Sequence, residues 1–128
     1  YCARRACSMQ HRDPSHQIEK YQSFTQGEII FREGELGDCL YIVAEGQVDI
    51  VADGQILETV EAGGILGELA LIDDKPRSAR AVAHTDCVLT PITRQHFLNL
   101  VQRTPLFALQ VMRVMAERLR RANSRSRV

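Results

Sequence analysis

Gln47-Val48-Asp49-Ile50-Val51-Ala52-Asp53-Gly54-Gln55-Ile56-Leu57-Glu58-Thr59-Val60 reads as two short strands joined by a two-residue turn. An Asp-Gly pair supplies positive φ at both central positions of a type I′ turn, whose twist matches that of the flanking strands. A hairpin is predicted here, and the same pattern extends in both directions. Short β-branched or apolar runs at 21–24, 28–32, 39–44, 79–83 and 87–92 join 47–52 and 55–60 as predicted strands. All eight glycines fall between Tyr21 and Pro91, punctuating these runs as in a small antiparallel β structure. Gly27, Gly34, Gly37, Gly46 and Gly54 are assigned to turns alone.

Beyond residue 92 the pattern becomes helical. Thr93 caps a predicted helix to about Gln102, and Thr104-Pro105 opens another that runs to about Asn123, with Pro at the first position, where its missing N–H costs nothing. Apolar residues occupy about 220° of that last helix, whereas docking on one surface needs an arc of only about 100°. The surplus predicts either a broad core contact or a second one, to a ligand or a partner subunit. Leu109, Met112, Ala116 and Leu119 follow the 3-4-3 spacing of a helix pair.

Composition removes several function classes. The chain has 128 residues, 45% of them hydrophobic, and equal numbers of acidic and basic side chains. That is ordinary for a single soluble domain and argues against a surface built wholly for nucleic acid. No apolar run approaches the ~18 residues of a membrane helix. Cys2, Cys7, Cys39 and Cys87 are too sparse for a disulfide framework, so reduced thiols and a cytoplasmic setting are expected. Residues 1–20 are polar and basic and read as a mobile arm or short helix. Because the first residue is Tyr, a cloning remnant or a longer parent protein is expected. Residues 124–128 form a basic tail.

The segment Ala62-Gly63-Gly64-Ile65-Leu66-Gly67-Glu68-Leu69-Ala70-Leu71-Ile72-Asp73-Asp74-Lys75-Pro76-Arg77-Ser78-Ala79 carries the chemistry. Gly67 to Leu71 can make one helical turn whose first N–H groups are unpaired and suited to an anion. Arg77 follows a proline, and a guanidinium is shaped for bidentate contact with phosphate oxygens. Ser78 adds a hydroxyl and an amide. Glu68 would repel phosphate but can accept hydrogen bonds from a sugar hydroxyl. Phosphate and sugar together point to a nucleotide.

Gly27-Glu28-Ile29-Ile30-Phe31-Arg32-Glu33-Gly34, then Gly37 to Gly46, Gly67-Glu68-Leu69-Ala70-Leu71 and Pro76-Arg77-Ser78-Ala79, occur in an order that resembles the cyclic nucleotide-binding domain family. The resemblance covers about residues 21 to 122. It implies a mainly β fold with flanking helices: an eight-stranded antiparallel β-roll, jelly-roll-like, with a phosphate-binding cassette and a C-terminal lid helix. In this chain the roll would span 21–92 with the cassette at 63–83, and the C-terminal helices 93–123. Arg77 would pair with the cyclic phosphate and Glu68 would accept from the ribose 2′-hydroxyl. Gly67, Leu69 and Ala70, with the Ser78 and Ala79 amides, would complete the contacts. Arg80 departs from the Thr often found there. Met112, Arg113, Met115, Arg118 and Leu119 are the lid candidates.

The expected function is a sensor that binds cAMP or cGMP and moves its last helix in response. No enzymatic activity, catalytic residue, metal or cofactor is expected. A homodimer through the last helix is a candidate partnership, with the effector unassigned. Two alternatives stand beside it. One is a degenerate β-roll acting as a protein-interaction module. The other is the sensor half of a transcription factor whose DNA-binding part lies outside this chain. A jelly-roll metalloenzyme is disfavoured because His11, His16, His84 and His96 form no His-x-His pair. Cys2, Cys7, His11 and His16 lack zinc-finger spacing.

Overall fold

A computed structural model describes residues 21–126. The predicted arm at 1–20 and the end of the basic tail lie outside the described residues. The chain divides into two compact units between Arg94 and Gln95.

The described residues of the first unit form eight strands and one short helix. These are β1 (Gln22–Phe24), β2 (Ile29–Phe31), β3 (Cys39–Glu45), β4 (Gln47–Ala52), β5 (Gln55–Glu61), β6 (Ile65–Leu66), α1 (Glu68–Asp73), β7 (Arg80–Ala83) and β8 (Cys87–Thr93). They form two four-stranded sheets, ordered β1-β8-β3-β6 and β2-β7-β4-β5, with every pair antiparallel. Phe24, Ile30, Phe31, Tyr41, Val43, Val48, Val60, Leu66, Ala81 and Leu89, drawn from both sheets, form one buried cluster. This is the antiparallel roll implied by the sequence, and burial of apolar side chains between the sheets is its main source of stability.

The hairpin at Asp53-Gly54 forms as read. Both residues have positive φ, 53° and 73°, and β4 pairs with β5 from Ala52↔Gln55 to Gln47↔Glu61. A polar cluster crosses the same ladder: Thr59 Oγ1 donates to Asp49 Oδ1 at 2.7 Å, and His84 Nδ1 lies 2.9 Å from Asp49 Oδ2. The buried Asp49 carboxylate is thereby satisfied, as burial demands. β6 was absent from the sequence reading. Two residues are too few to show alternation, and only pairing with Tyr41 and Ile42 of β3 defines the strand.

Cysteine chemistry differs from expectation at one position. Cys39 is disulfide-bonded rather than reduced, whereas Cys87 is a free, buried thiol.

The C-terminal segment holds α2 (Arg94–Arg103) and α3 (Pro105–Ser126). Thr104 N–H donates to Leu100 O at 2.7 Å and Phe107 N–H to Thr104 O at 2.9 Å, so the connection is a single tight turn ahead of Pro105. Phe97 and Phe107 meet edge to face at 5.7 Å, fixing the two helices against each other. On α3, Leu106, Leu109, Met112 and Leu119 are exposed, in keeping with the surplus apolar arc. No helix among the described residues is long and apolar enough to cross a membrane.

Candidate functional site

Between β6 and β7 the chain makes the short helix α1. Gly67 precedes it in the left-handed region at φ 79°, and Asp74 ends it at φ 60°. Glycine adopts such a φ without the side-chain clash that other residues pay. Ala70 and Leu71 are buried while Leu69 and Ile72 are exposed, so the helix rests on the roll by one apolar face. Asp74 forms an ion pair with Arg94, the first residue of α2.

Arg77 follows in the loop before β7 and is only 5% exposed. Its backbone is held from both sides by the β2–β3 loop: Gly34 N–H donates to Arg77 O at 2.9 Å, and Arg77 N–H donates to Glu35 O at 2.8 Å. Its side chain is held as well. Nη1 donates to Gly67 O at 2.9 Å, Nη2 donates to Cys39 O at 2.8 Å, and the guanidinium carbon lies 4.2 Å from the centre of the Phe31 ring. Phe31 in turn stacks on Tyr41 with ring centres 6.2 Å apart.

A buried charge of this kind persists only where partners offset its lost hydration. Burial lowers the Arg77 pKa from its ordinary value, while Tyr41, Asp38, Glu35 and Glu68 act in the opposite direction. The group starts so high that it remains a cation in any ordinary buffer. Tyr41, buried beneath it, is raised well above the usual phenol range by desolvation, with Arg77 opposing and Asp38 and Glu35 reinforcing the rise. It stays a neutral phenol.

Among the predicted site residues, Glu68 and Ala79 are buried like Arg77, whereas Leu69 and Ser78 are exposed. Gly67 and Arg77 are in direct hydrogen-bond contact, and the Glu68 carboxylate acts electrostatically on the guanidinium. Glu68 and Arg77 are therefore one buried electrostatic group and not a surface ion pair. The lid candidates all lie on α3, where Met112, Arg113 and Leu119 are exposed and Met115 and Arg118 half-buried.

The sequence reading missed the seat of the arginine: Phe31, Tyr41, the Cys39 carbonyl and the Gly34-Glu35 backbone. Their signal was present only as the glycine frame from Gly27 to Gly46. A guanidinium carries five N–H donors. Two are spent on Gly67 and Cys39, which leaves three further N–H groups on the same side chain. Among the described residues no group of His, Cys, Asp or Glu is placed to hold a metal ion.

Residues 21–104 match the cyclic nucleotide-binding domain family, and the chain belongs to it. Over 105 residues it is 37% identical to the Cyclic AMP receptor protein of Thermus thermophilus, a match covering 78% of this chain and 49% of that protein. It is 42% identical over 77 residues to the cAMP-dependent protein kinase regulatory subunit of Eremothecium gossypii, covering 60% of this chain and 17% of that one. The solved structure of the Thermus thermophilus Catabolite Activator Protein superposes with a TM-score of 0.74 at 37% identity, covering 83% of this chain and 52% of that chain. The chain thus spans about half or less of the length of these relatives.

Proposed function

We propose that this chain is a regulatory sensor whose ligand is cAMP. Arg77 receives the cyclic phosphate through the donors not committed to Gly67 and Cys39. Glu68 accepts the ribose 2′-hydroxyl, and main-chain groups of Gly67, Leu69, Ala70, Ser78 and Ala79 complete the cassette. The observation that carries this reading is a buried guanidinium, fixed at two nitrogens and with three N–H groups to spare, beside a buried carboxylate. cAMP is preferred to cGMP because the two relatives above carry cAMP in their names; the pocket chemistry favours neither base.

Regulation follows if the ligand binds one conformation of the domain more tightly than another, because only differential affinity shifts a population. The proposed output element is α3, which carries the lid candidates Met112, Arg113, Met115, Arg118 and Leu119. A homodimer through the exposed Leu109, Met112 and Leu119 belongs to the same proposal, as does a cytoplasmic, non-catalytic role.

Titration calorimetry with cAMP, cGMP and linear AMP, on the wild-type chain and on Arg77→Ala, tests the reading. Expected are binding of the cyclic nucleotides, weaker binding of AMP, and loss of affinity in the variant. A folded wild-type chain that binds no cyclic nucleotide overturns it.

A further inference from the structure

Gly37 lies in the β2–β3 loop, and the sequence alone assigns it to a turn. Its φ gives no reason for glycine there: Gly27, Gly34, Gly46 and Gly54 all have positive φ, and Gly37 does not. Gly37 is outside the left-handed region that favours glycine, so the reason for glycine is sought in the space around it. A Cβ built on Gly37 would lie 2.4 Å from Arg77 Cζ, 2.4 Å from Nε and 2.6 Å from Nη2. These are the three nearest atoms it would meet, and all belong to the guanidinium. On Gly67 a Cβ would lie 2.5 Å from Arg77 Nη1, but there a positive φ demands glycine independently.

We infer that Gly37 is a positioning residue for the anion-binding arginine: its missing side chain is the space the guanidinium occupies. The seat is a slot with the Phe31 ring against one face of the guanidinium, Gly67 at Nη1 and Gly37 across Cζ, Nε and Nη2. A methyl group at position 37 cannot coexist with the guanidinium in this slot, since real Cβ contacts under 3.0 Å are essentially never seen. Something must move, and the choice is between backbone and side chain. The β2–β3 loop is tied to the Arg77 backbone by two hydrogen bonds at 2.8 and 2.9 Å. The guanidinium is the far end of a flexible side chain, so it is the group that leaves. The fold survives and the arginine loses its aim.

This inference rests on Arg77 as the phosphate-binding group, but part of its test is independent of any ligand. In calorimetric titrations with cAMP, Gly37→Ala should lower affinity by about tenfold or more, the loss of at least one charge-assisted hydrogen bond. In an Arg77→Ala background the same substitution should cause no further loss, because the group it displaces is gone. Thermal unfolding of the four proteins completes the cycle: Gly37→Ala should lower Tm by several degrees beside Arg77 and by much less beside Ala. Wild-type affinity in Gly37→Ala, or an equal Tm penalty in both backgrounds, overturns the assignment. If the wild-type chain binds no cyclic nucleotide the ligand reading fails, and the unfolding cycle still decides whether Gly37 shapes the slot.

Discussion

Arg77→Lys separates the charge of the proposed anion site from its shape. The wild-type guanidinium uses two different nitrogens of one plane, Nη1 to Gly67 O at 2.9 Å and Nη2 to Cys39 O at 2.8 Å, and lays its face on Phe31 at 4.2 Å. These contacts aim the remaining N–H groups. An ammonium has a single nitrogen with no fixed fork, so it cannot span carbonyls contributed by β3 and by the start of α1 while also meeting a phosphate. At least one charge-assisted hydrogen bond is lost, worth ~1.5–3 kcal/mol, or roughly 10- to 150-fold in Kd. Net charge is unchanged, so long-range attraction to phosphate is preserved. Calorimetric titration with cAMP at fixed ionic strength measures the loss, and circular dichroism checks that the roll is intact. An affinity within about threefold of wild type, less than ~0.7 kcal/mol, would falsify the argument that the fork, and not the point charge, makes the site.

Three other outcomes follow from the same structure. Glu68→Gln should narrow the preference for cAMP over 2′-deoxy-cAMP by roughly 5- to 12-fold, the ~1–1.5 kcal/mol by which a hydrogen bond to a carboxylate exceeds one to a neutral amide. Competition titrations read this directly, and an unchanged ratio removes Glu68 from the ribose. Burial, with Asp86 and Glu28 reinforcing it, pushes the Cys87 thiol up to about 11. Peptide-level mass spectrometry should therefore find Cys87 slow to alkylate in folded protein at about pH 8 and fast only after denaturation, since the thiolate is the reactive form. Burial, and then Arg103, hold His96 below its usual 6.5, so the fold favours the neutral ring. That stability is fully present above the unfolded value near 6.5 and is lost as pH falls through the lower folded value. Urea midpoints measured from about pH 7.5 down to pH 5 should fall less steeply for His96→Gln than for wild type; parallel profiles would show that His96 contributes nothing to the slope.

How much of this was legible beforehand depended on the range of the interaction concerned. Asp53-Gly54 announced its hairpin because a type I′ turn is decided by two adjacent residues. Pro105 marked the start of the last helix for an equally local reason. β6 stayed hidden because two residues carry no periodicity and its pairing partner lies more than 20 positions earlier in the chain. Cys39 illustrates a different limit: a sparse cysteine count says what the fold does not need, not which thiols pair.

The amino-acid sequence by itself determined a run of short antiparallel strands and placed Glu68 and Arg77 in one segment, because glycine punctuation and strand-length apolar runs are written within short windows; the roll and its cassette entered only as what the family resemblance implies. Only the tertiary structure decided what Arg77 rests on. Its carbonyl acceptors come from residues 10 and 38 positions away, and its ring partner Phe31 belongs to the other sheet from the Cys39 strand. The space it fills is the side chain that Gly37 lacks. Local sequence can specify that a guanidinium is present, but its direction is set by distant groups that the folding of the roll brings around it.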